Sequence, residues 1–219
     1  MKIANFDLIV FDWDGTLMDS TAAIVKSIQA AAADLGVPVP EKEAAAYVIG
    51  LGLREAMESA VPGLDPKHYP RIVDRYRHHY QIKSQELELF DGVREMLDDL
   101  TRRGHFLAVA TGKSRAGLNR VLHDTGLGAY FHATRCADET FSKPHPAMLN
   151  ELTRELGQEM ERTVMIGDTT HDLLMAANAG ASGVAVRYGA HPEGELLLHR
   201  PVFTAASVPD LHQWLLDNA

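Results

Sequence analysis

The chain has 219 residues, of which 46% are hydrophobic and 23% are charged, which is typical of a globular protein with one or two domains. Its formal net charge of −9 argues against a nucleic-acid partner, because contact with phosphate backbones requires a basic surface. We expect neither a membrane span nor a signal peptide, since no apolar run approaches ~18 residues. The single cysteine, Cys136, fits a reducing cytoplasm, where we expect the protein to reside.

The first predicted element is a short apolar run over residues 6–11, rich in β-forming side chains. It predicts a buried strand that ends at Asp12. Gly15 then marks a turn, and a helix is predicted over residues 22–35. Gly36 and Pro38 end this helix, because neither residue continues a helix well.

Residues 40–87 show no strand pattern. Helices are predicted over residues 41–49, 53–60 and 66–84, separated by breaks that contain glycine and proline. Because this helical stretch lies between two regions with strands, it predicts an inserted helical domain. We therefore assign residues 1–17 and 88–219 to a core domain, and residues 18–87 to a small cap domain.

In the remaining chain, strands alternate with helices. The predicted strands cover residues 105–110, 131–136, 163–166, 183–186 and 202–203. The predicted helices cover residues 93–103, 114–125, 146–156, 173–179 and 208–217. Such alternation is typical of an α/β fold with a doubly wound parallel sheet.

Ligands of such folds bind beyond the carboxyl ends of the strands, so the residues there are candidates for chemistry. Asp12 and Asp14 follow the first strand. Two neighbouring carboxylates repel each other and need a cation or a shared proton, and Mg²⁺ suits a site made of oxygen ligands. A solvated turn after a strand is the alternative for either aspartate alone.

Two further segments carry groups that suit a phosphate. Thr111 and Gly112 end the second strand, where a hydroxyl and backbone N–H groups are potential donors to a phosphate oxygen. A cap for the following helix is the alternative role for Thr111. Lys143 precedes a proline, which holds it extended, so its ammonium is placed to neutralise a phosphoryl group. A solvated loop lysine is the alternative.

The fourth segment follows the predicted strand over residues 163–166. Asp168 and Asp172 lie four residues apart, so both can face one point at the start of a helix. They are candidate metal ligands with Asp12 and Asp14. Favourable interaction with the helix dipole is the alternative explanation for these acidic residues.

These segments, Asp12 to Leu17, Thr111, Lys143-Pro144 and Gly167 to Asp172, resemble in order the four motifs of the haloacid dehalogenase-like hydrolase superfamily. The resemblance covers nearly the whole chain. It is closest to phosphoglycolate phosphatase-like members with a helical cap, and it implies a Rossmann-like core with that cap inserted after the first strand.

The resemblance also implies roles for residues in catalysis. Asp12 would be the nucleophile that forms an aspartyl-phosphate, and Asp14 would be the general acid and base. Thr111 and Lys143 would hold the phosphoryl group. Phosphoryl transfer depends mainly on positioning and charge stabilisation, which agrees with these roles.

The same resemblance implies a Mg²⁺ cofactor. Its ligands would be Asp12, Asp14 through its backbone carbonyl, and Asp168, with Asp172 orienting the site. The second aspartate, Asp14, favours a phosphatase over a dehalogenase, because cleavage of a carbon–halogen bond needs no acid for the leaving group.

Substrate binding is assigned to Thr16, Gly112, Lys113 and Arg54. Arg54 follows a glycine-rich break in the cap, from which it could reach a substrate carboxylate or hydroxyl; an ordinary helix turn is the alternative. His171 lies beside the site motifs and is expected to lie on the surface, with tuning of the site as the alternative role. The expected partner is a small phosphorylated metabolite, with 2-phosphoglycolate as the first guess from the resemblance, and the protein is expected to be a monomer or homodimer.

Two other functions fit parts of the pattern. A sugar-phosphate mutase would use the same core and return the phosphoryl group to a sugar, but Thr16 favours a phosphatase, because that position tends to be apolar in the mutases. A switch module phosphorylated on aspartate would share the sheet and the acidic pocket. Such modules lack a cap of this size.

Overall fold

The computed structural model describes residues 6–219 and contains a six-stranded sheet with every strand parallel to its neighbours. The strand order across the sheet is β3-β2-β1-β4-β5-β6. The strands are β1 (Leu8–Phe11), β2 (Phe106–Thr111), β3 (Ala133–Cys136), β4 (Thr163–Gly167), β5 (Ser182–Val186) and β6 (Phe203–Ala205). The predicted doubly wound α/β fold is therefore confirmed.

The register of the central strand decides where polar side chains meet. Phe11, the last residue of β1, pairs with Val109 of β2 and with Ile166 of β4. The carboxyl ends of these three strands therefore lie at one edge of the sheet. Asp12 follows β1 at this edge, between the ends of its two neighbours.

Ten α-helices accompany the sheet within residues 6–219. They are α1 (Thr21–Asp34), α2 (Lys42–Tyr47), α3 (Leu53–Ala60), α4 (Tyr69–Lys83), α5 (Val93–Arg102), α6 (Arg115–Thr125), α7 (Ala147–Leu156), α8 (Thr170–Ala179), α9 (Glu193–Leu197) and α10 (Val208–Asn218). None of the helices in this part of the chain combines the length and the apolar character needed to span a bilayer.

Helices cover both faces of the sheet. Side chains of a strand alternate between the two sides, so successive residues of β1 face different helices. Ile9 and Phe11 face the apolar cluster that holds residues of α5, α6 and α10. Leu8 and Val10 face the cluster that holds residues of α7 and α8. This burial on both sides explains why β1 is a continuous apolar run rather than an alternating one.

Helices α1 to α4 form a separate apolar cluster beyond the carboxyl edge of the sheet. Its buried members include Ile28 of α1, Met57 of α3 and Ile72 of α4. Helices α1 and α4 pack against each other along their lengths. The division into a core domain and a cap over residues 18–87 stays a prediction, and residues 1–5 of that core lie outside the described residues.

Most element ends differ slightly from the sequence prediction, and two of the differences have a clear local cause. Helix α9 was not predicted, because it has only five residues and contains Gly194, which disfavours a helix. Helix α8 begins at Thr170 rather than at residue 173. Thr169 and Asp172 form a capping box there, in which each side chain accepts a hydrogen bond from the other residue's backbone N–H.

Candidate active site

Three buried carboxylates meet at the carboxyl edge of the sheet. Asp12 follows β1, Asp168 follows β4, and Asp172 lies in the first turn of α8. One oxygen from each lies within 4.8 Å of the other two, and all three residues are buried. The structure thus brings together three of the four aspartates that were predicted to bind a metal.

Lys143 enters this cluster from the loop before α7, and its side chain is fully buried. Its Nζ lies 2.7 Å from Oδ1 of Asp12 and 2.6 Å from Oδ1 of Asp172. Burial disfavours the ammonium, but these two carboxylates outweigh that effect and raise the pKa of Lys143 above its ordinary value. Burial raises the pKa of Asp12, and the charge of Lys143 opposes that rise.

Asp168 is held by hydrogen bonds to both of its oxygens. The hydroxyl of Thr16 donates to Oδ1 at 3.0 Å, and the backbone N–H of Ala190 donates to Oδ2 at 2.7 Å. Burial raises the pKa of Asp168 well above its ordinary value, and the neighbouring Asp12 and Asp172 add to the rise. Thr16 was predicted to bind substrate, but the structure shows its hydroxyl engaged with a candidate metal ligand.

Two glycines leave room for the Asp168 carboxylate. A Cβ on Gly15 would lie 2.1 Å from Oδ2 of Asp168, and a Cβ on Gly189 would lie 2.2 Å from Cβ of Asp168. Gly15 also has a φ of 78°, which residues with side chains rarely adopt. The Gly15 turn therefore allows Asp12 and Asp168 to approach each other.

Asp172 is fixed by its role in the capping box. The backbone N–H and the hydroxyl of Thr169 donate to its Oδ2 at 3.1 and 2.6 Å. These bonds leave Oδ1 directed at Lys143. The sequence placed Asp172 at a helix start, and the structure shows that one oxygen caps the helix while the other faces the cluster.

The donor set of this cluster suits a divalent cation. Three carboxylates lie together and a single ammonium contacts two of them, so a second positive charge would relieve their mutual repulsion. Within residues 6–219, no group donates a hydrogen bond to Oδ2 of Asp12. Oxygen ligands of this kind are those that Mg²⁺ prefers. The carboxylate of Asp14 is not part of the cluster, so its assignment as a metal ligand could hold only for its backbone carbonyl.

Asp14 instead lies in a second network. Nζ of Lys113 lies 3.0 Å from its Oδ2, and the hydroxyl of Ser20 donates to its Oδ1 at 2.6 Å. Lys113 also donates to the hydroxyl of Tyr80 on α4, at 3.0 Å. Burial opposes the charge on Lys113, but Asp14 raises its pKa above the ordinary value. Lys113 was predicted to bind substrate, whereas its ammonium is engaged with Asp14 and the cap.

Sequence reasoning missed Ser20 and Tyr80. Ser20 directly precedes α1, where serine commonly caps a helix, but its side chain makes no capping hydrogen bond. Tyr80 and Lys113 are separated by 33 residues, and no local pattern links them. Ser20 contacts Asp14 directly, and Tyr80 is linked to Asp14 through Lys113.

Thr111 and Gly112 lie at the end of β2, beside the same cavity as Asp12 and Asp14. Thr111 is fully buried, and its hydroxyl accepts a hydrogen bond from the backbone N–H of Lys113 at 3.2 Å. The hydroxyl hydrogen is therefore free to point towards a ligand. This placement agrees with the predicted phosphate contact of Thr111.

Gly112 is the point where the core backbone touches the loop between α2 and α3. A Cβ at this position would lie 2.4 Å from the carbonyl oxygen of Leu51 and 2.6 Å from that of Gly50. Backbone atoms cannot move aside as a flexible side chain can. The sequence predicted Gly112 as a phosphate contact, and the structure adds the close approach of the cap.

Gly112→Ala is expected to displace this loop, lowering the free energy of unfolding by about 1–3 kcal/mol and kcat/KM by at least about tenfold. Urea unfolding and phosphate release measure the two effects. Gly194→Ala is the matched control, because a Cβ there meets no atom of residues 6–219 within 4 Å. Equal behaviour of the two variants would contradict the contact.

Arg54 does not reach into the site. Its side chain is 75% exposed, and its Nε donates to Glu58 at 2.9 Å, one helical turn away on α3. It lies at the rim of the cavity rather than beside the carboxylates. The prediction that Arg54 binds substrate is therefore not supported by this conformation.

Two histidines of the core hold a backbone carbonyl of the cap. Nε2 of His171 and Nε2 of His191 donate to the carbonyl oxygen of Tyr47, at 2.9 and 3.0 Å. Nδ1 of His191 accepts from the backbone N–H of Thr170, so His191 is neutral in this arrangement. Burial lowers the pKa of both histidines. The prediction that His171 lies on the surface was wrong, because α8 begins earlier than expected and turns this residue towards the cap.

Residues 9–186 match the family model of the haloacid dehalogenase-like hydrolases. The matched residues include most of the sheet and helices α1 to α4 of the insert. The chain belongs to this family. The order of the motifs, the parallel sheet and the helical insert all agree with the match. The resemblance identified in the sequence is confirmed.

Among curated relatives, the chain is 37% identical to a protein named Probable phosphatase IndB from Dickeya dadantii, covering 89% of this chain and 86% of that protein. It is 32% identical to a 5′-nucleotidase from Pseudomonas aeruginosa, covering 94% of each chain. It is 31% identical to a phosphoglycolate phosphatase from Agrobacterium fabrum, covering 83% of this chain and 81% of that protein. The chain is therefore a phosphatase of the haloacid dehalogenase-like family. Its relatives include proteins named as a phosphoglycolate phosphatase and as a 5′-nucleotidase.

Proposed function

We propose that this phosphatase is a Mg²⁺-dependent phosphomonoester hydrolase that acts through an aspartyl-phosphate on Asp12. The observation that carries the proposal is the state of Asp12. Its Oδ2 is free of hydrogen bonds from residues 6–219, while its Oδ1 is paired with Lys143. Asp12 also borders a cavity that can hold a substrate.

In the first step, an oxygen of Asp12 attacks the phosphorus atom, and an O–P bond forms as the bond to the leaving oxygen breaks. Asp14 borders the same cavity and, starting from its protonated form, gives that proton to the leaving oxygen, which departs as an alcohol. Lys143, at 2.7 Å from Asp12, offsets the repulsion between the carboxylate and the phosphoryl group.

In the second step, a water attacks the phosphorus atom of the aspartyl-phosphate. Asp14, now a carboxylate, takes a proton from that water, and the O–P bond to Asp12 breaks. Inorganic phosphate leaves and both aspartates return to their starting forms. Ser20 and Lys113 contact the Asp14 carboxylate and hold it in place for this second step.

The three carboxylates would hold the metal, with Asp12 and Asp168 as ligands and Asp172 beside them. A bound Mg²⁺ would supply positive charge to the phosphoryl oxygens and hold them for in-line transfer. Thr16 and the backbone N–H of Ala190 keep Asp168 oriented towards that position.

The substrate in this proposal is a small phosphorylated metabolite, and the protein works in the cytoplasm as a monomer or homodimer. One relative is named a phosphoglycolate phosphatase, which supports 2-phosphoglycolate as a candidate. Another is named a 5′-nucleotidase, so the family relationship alone does not select a substrate.

The test is phosphate release from phenyl phosphate with Mg²⁺, compared with release in EDTA. We expect release with Mg²⁺ and a loss of at least about 10³-fold in EDTA, since the three carboxylates then repel the substrate. Full activity in EDTA would contradict the metal role.

Incubation with a hexose 1-phosphate separates hydrolysis from mutase activity, because a mutase would yield the isomerised sugar phosphate.

A further inference from the structure

A cavity of about 580 Å³ extends from the catalytic carboxylates into the cap. Asp12, Asp14 and Thr111 line its inner end, and α1, α3 and α4 contribute to its walls. Because the cavity is continuous with the position proposed for the phosphoryl group, its remaining volume is available to the alcohol part of the substrate.

The walls that the cap contributes are largely apolar and aromatic. The main side chains are Ile24, Ile28, Met57, Val73, Tyr76 and Tyr80. The rings of Tyr76 and Tyr80 stack on each other, with centroids 5.7 Å apart and planes 12° apart. Apolar walls with aromatic rings favour a ligand that has an apolar or aromatic body.

The cations that line the cavity within residues 6–219 are already paired or lie at its exposed rim. Lys113 is the buried one, and Asp14 and Tyr80 engage its ammonium. Arg54 is exposed and paired with Glu58. Arg77 and Arg120 also line the cavity, and both are exposed. The apolar walls thus offer no free buried cation to a carboxylate on the substrate.

We propose that the substrate of this enzyme is a phosphomonoester with an uncharged, ring-containing body that fills the cavity between α1, α3 and α4. This inference rests on the proposed phosphatase function. Pockets of about 300–1,000 Å³ accommodate drug-sized ligands. 2-Phosphoglycolate would leave most of the volume without contacts, and its carboxylate would find no free buried cation among the described residues.

The experiment compares kcat/KM of the full chain with Mg²⁺ for 2-phosphoglycolate and for 2-phenylethyl phosphate. Both are alkyl phosphates, so the comparison tests the body rather than an aryl leaving group. We expect kcat/KM to be at least about tenfold higher for 2-phenylethyl phosphate, since the ring gains apolar contacts that the carboxylate lacks. If phosphate is released but kcat/KM for 2-phosphoglycolate is equal to or higher than that for 2-phenylethyl phosphate, the inference is overturned. The proposed phosphatase function would still stand in that case.

Two aryl esters distinguish a failure of this inference from a failure of the proposed phosphatase function. If neither alkyl ester, nor phenyl phosphate, nor 1-naphthyl phosphate releases phosphate, the proposed phosphatase function is contradicted and the inference falls with it. Because phenol and naphthol are leaving groups of similar strength, a higher kcat/KM for 1-naphthyl phosphate than for phenyl phosphate is a second expected result. A lower value would count against the inference.

Val73→Trp locates the preference in the cap, because this half-buried residue of α4 lines the cavity. The larger side chain is expected to lower the ratio of kcat/KM between 2-phenylethyl phosphate and 2-phosphoglycolate by about tenfold. Ile82→Trp is the matched control, since Ile82 lies on the same helix, is 59% exposed and does not line the cavity. An unchanged ratio in a folded Val73→Trp variant would contradict this location, and the wild-type comparison stands if the variant does not fold.

Discussion

Asp12→Asn is expected to lower kcat for phosphate release by about 10⁴-fold or more, because an amide cannot replace the carboxylate as a nucleophile. The replacement keeps the size of the side chain, so the neighbours of Asp12 remain in place. Release of phosphate from phenyl phosphate with Mg²⁺ measures the effect. Acid quenching during turnover with a labelled ester is expected to trap phosphate on the wild type and not on this variant.

The control for this substitution is Asp19→Asn, which removes an exposed carboxylate close in sequence. We expect it to retain wild-type activity. Circular dichroism and thermal unfolding of Asp12→Asn establish that the loss is not a loss of fold. Retention of more than a tenth of the wild-type kcat by a folded Asp12→Asn protein would refute the nucleophilic role.

Lys143→Met is expected to lower the free energy of unfolding by about 3–5 kcal/mol, in addition to removing activity. The ammonium is the buried cation that lies within 2.7 Å of both Asp12 and Asp172. Methionine keeps much of the length of the side chain, so the main change is the loss of charge beside three buried carboxylates. Urea unfolding in EDTA measures the effect without help from a metal.

Lys67→Met provides the comparison, because Lys67 is an exposed lysine paired with the half-exposed Asp65. Exposed pairs of this kind contribute about 0–1 kcal/mol. If Lys143→Met were no more destabilising than Lys67→Met, the charge of Lys143 would not be needed to hold the cluster. Partial recovery of stability on adding Mg²⁺ would agree with a cation site at the same carboxylates.

The sequence carried most of the information on the fold and on the central carboxylates. Strand β1 is buried on both faces, so its apolar run and its end at Asp12 were visible in the sequence. The parallel order of the sheet then places Asp12 beside the ends of β2 and β4. Asp168 follows from the same logic, because it comes directly after β4, whereas Lys143 was singled out by the proline that follows it.

The sequence could not reveal which polar group each side chain would meet. The Thr16 hydroxyl turns to Asp168, at a separation of 152 residues, and no local pattern encodes that choice. Lys113 pairs with Asp14 and also contacts Tyr80 of α4, and both partners are distant in the sequence. Arg54 was different, since Glu58 lies four residues later on the same helix and this competing partner was visible in the sequence.

The carbonyl of Tyr47, with its two histidine donors, bears on how the cap can move. Residues 18–87, the predicted cap, join the rest of the chain covalently through the segments before α1 and after α4, and these alone would permit them to swing. The Tyr47 contact adds a third point of attachment, and beside it the backbone N–H of Gly52 donates to the hydroxyl of Ser142 at 2.7 Å. A swing of the cap away from the core must break these bonds together. The Gly52 amide proton is then protected from deuterium exchange while the cap is seated, and its exchange rate reports how often the enzyme opens.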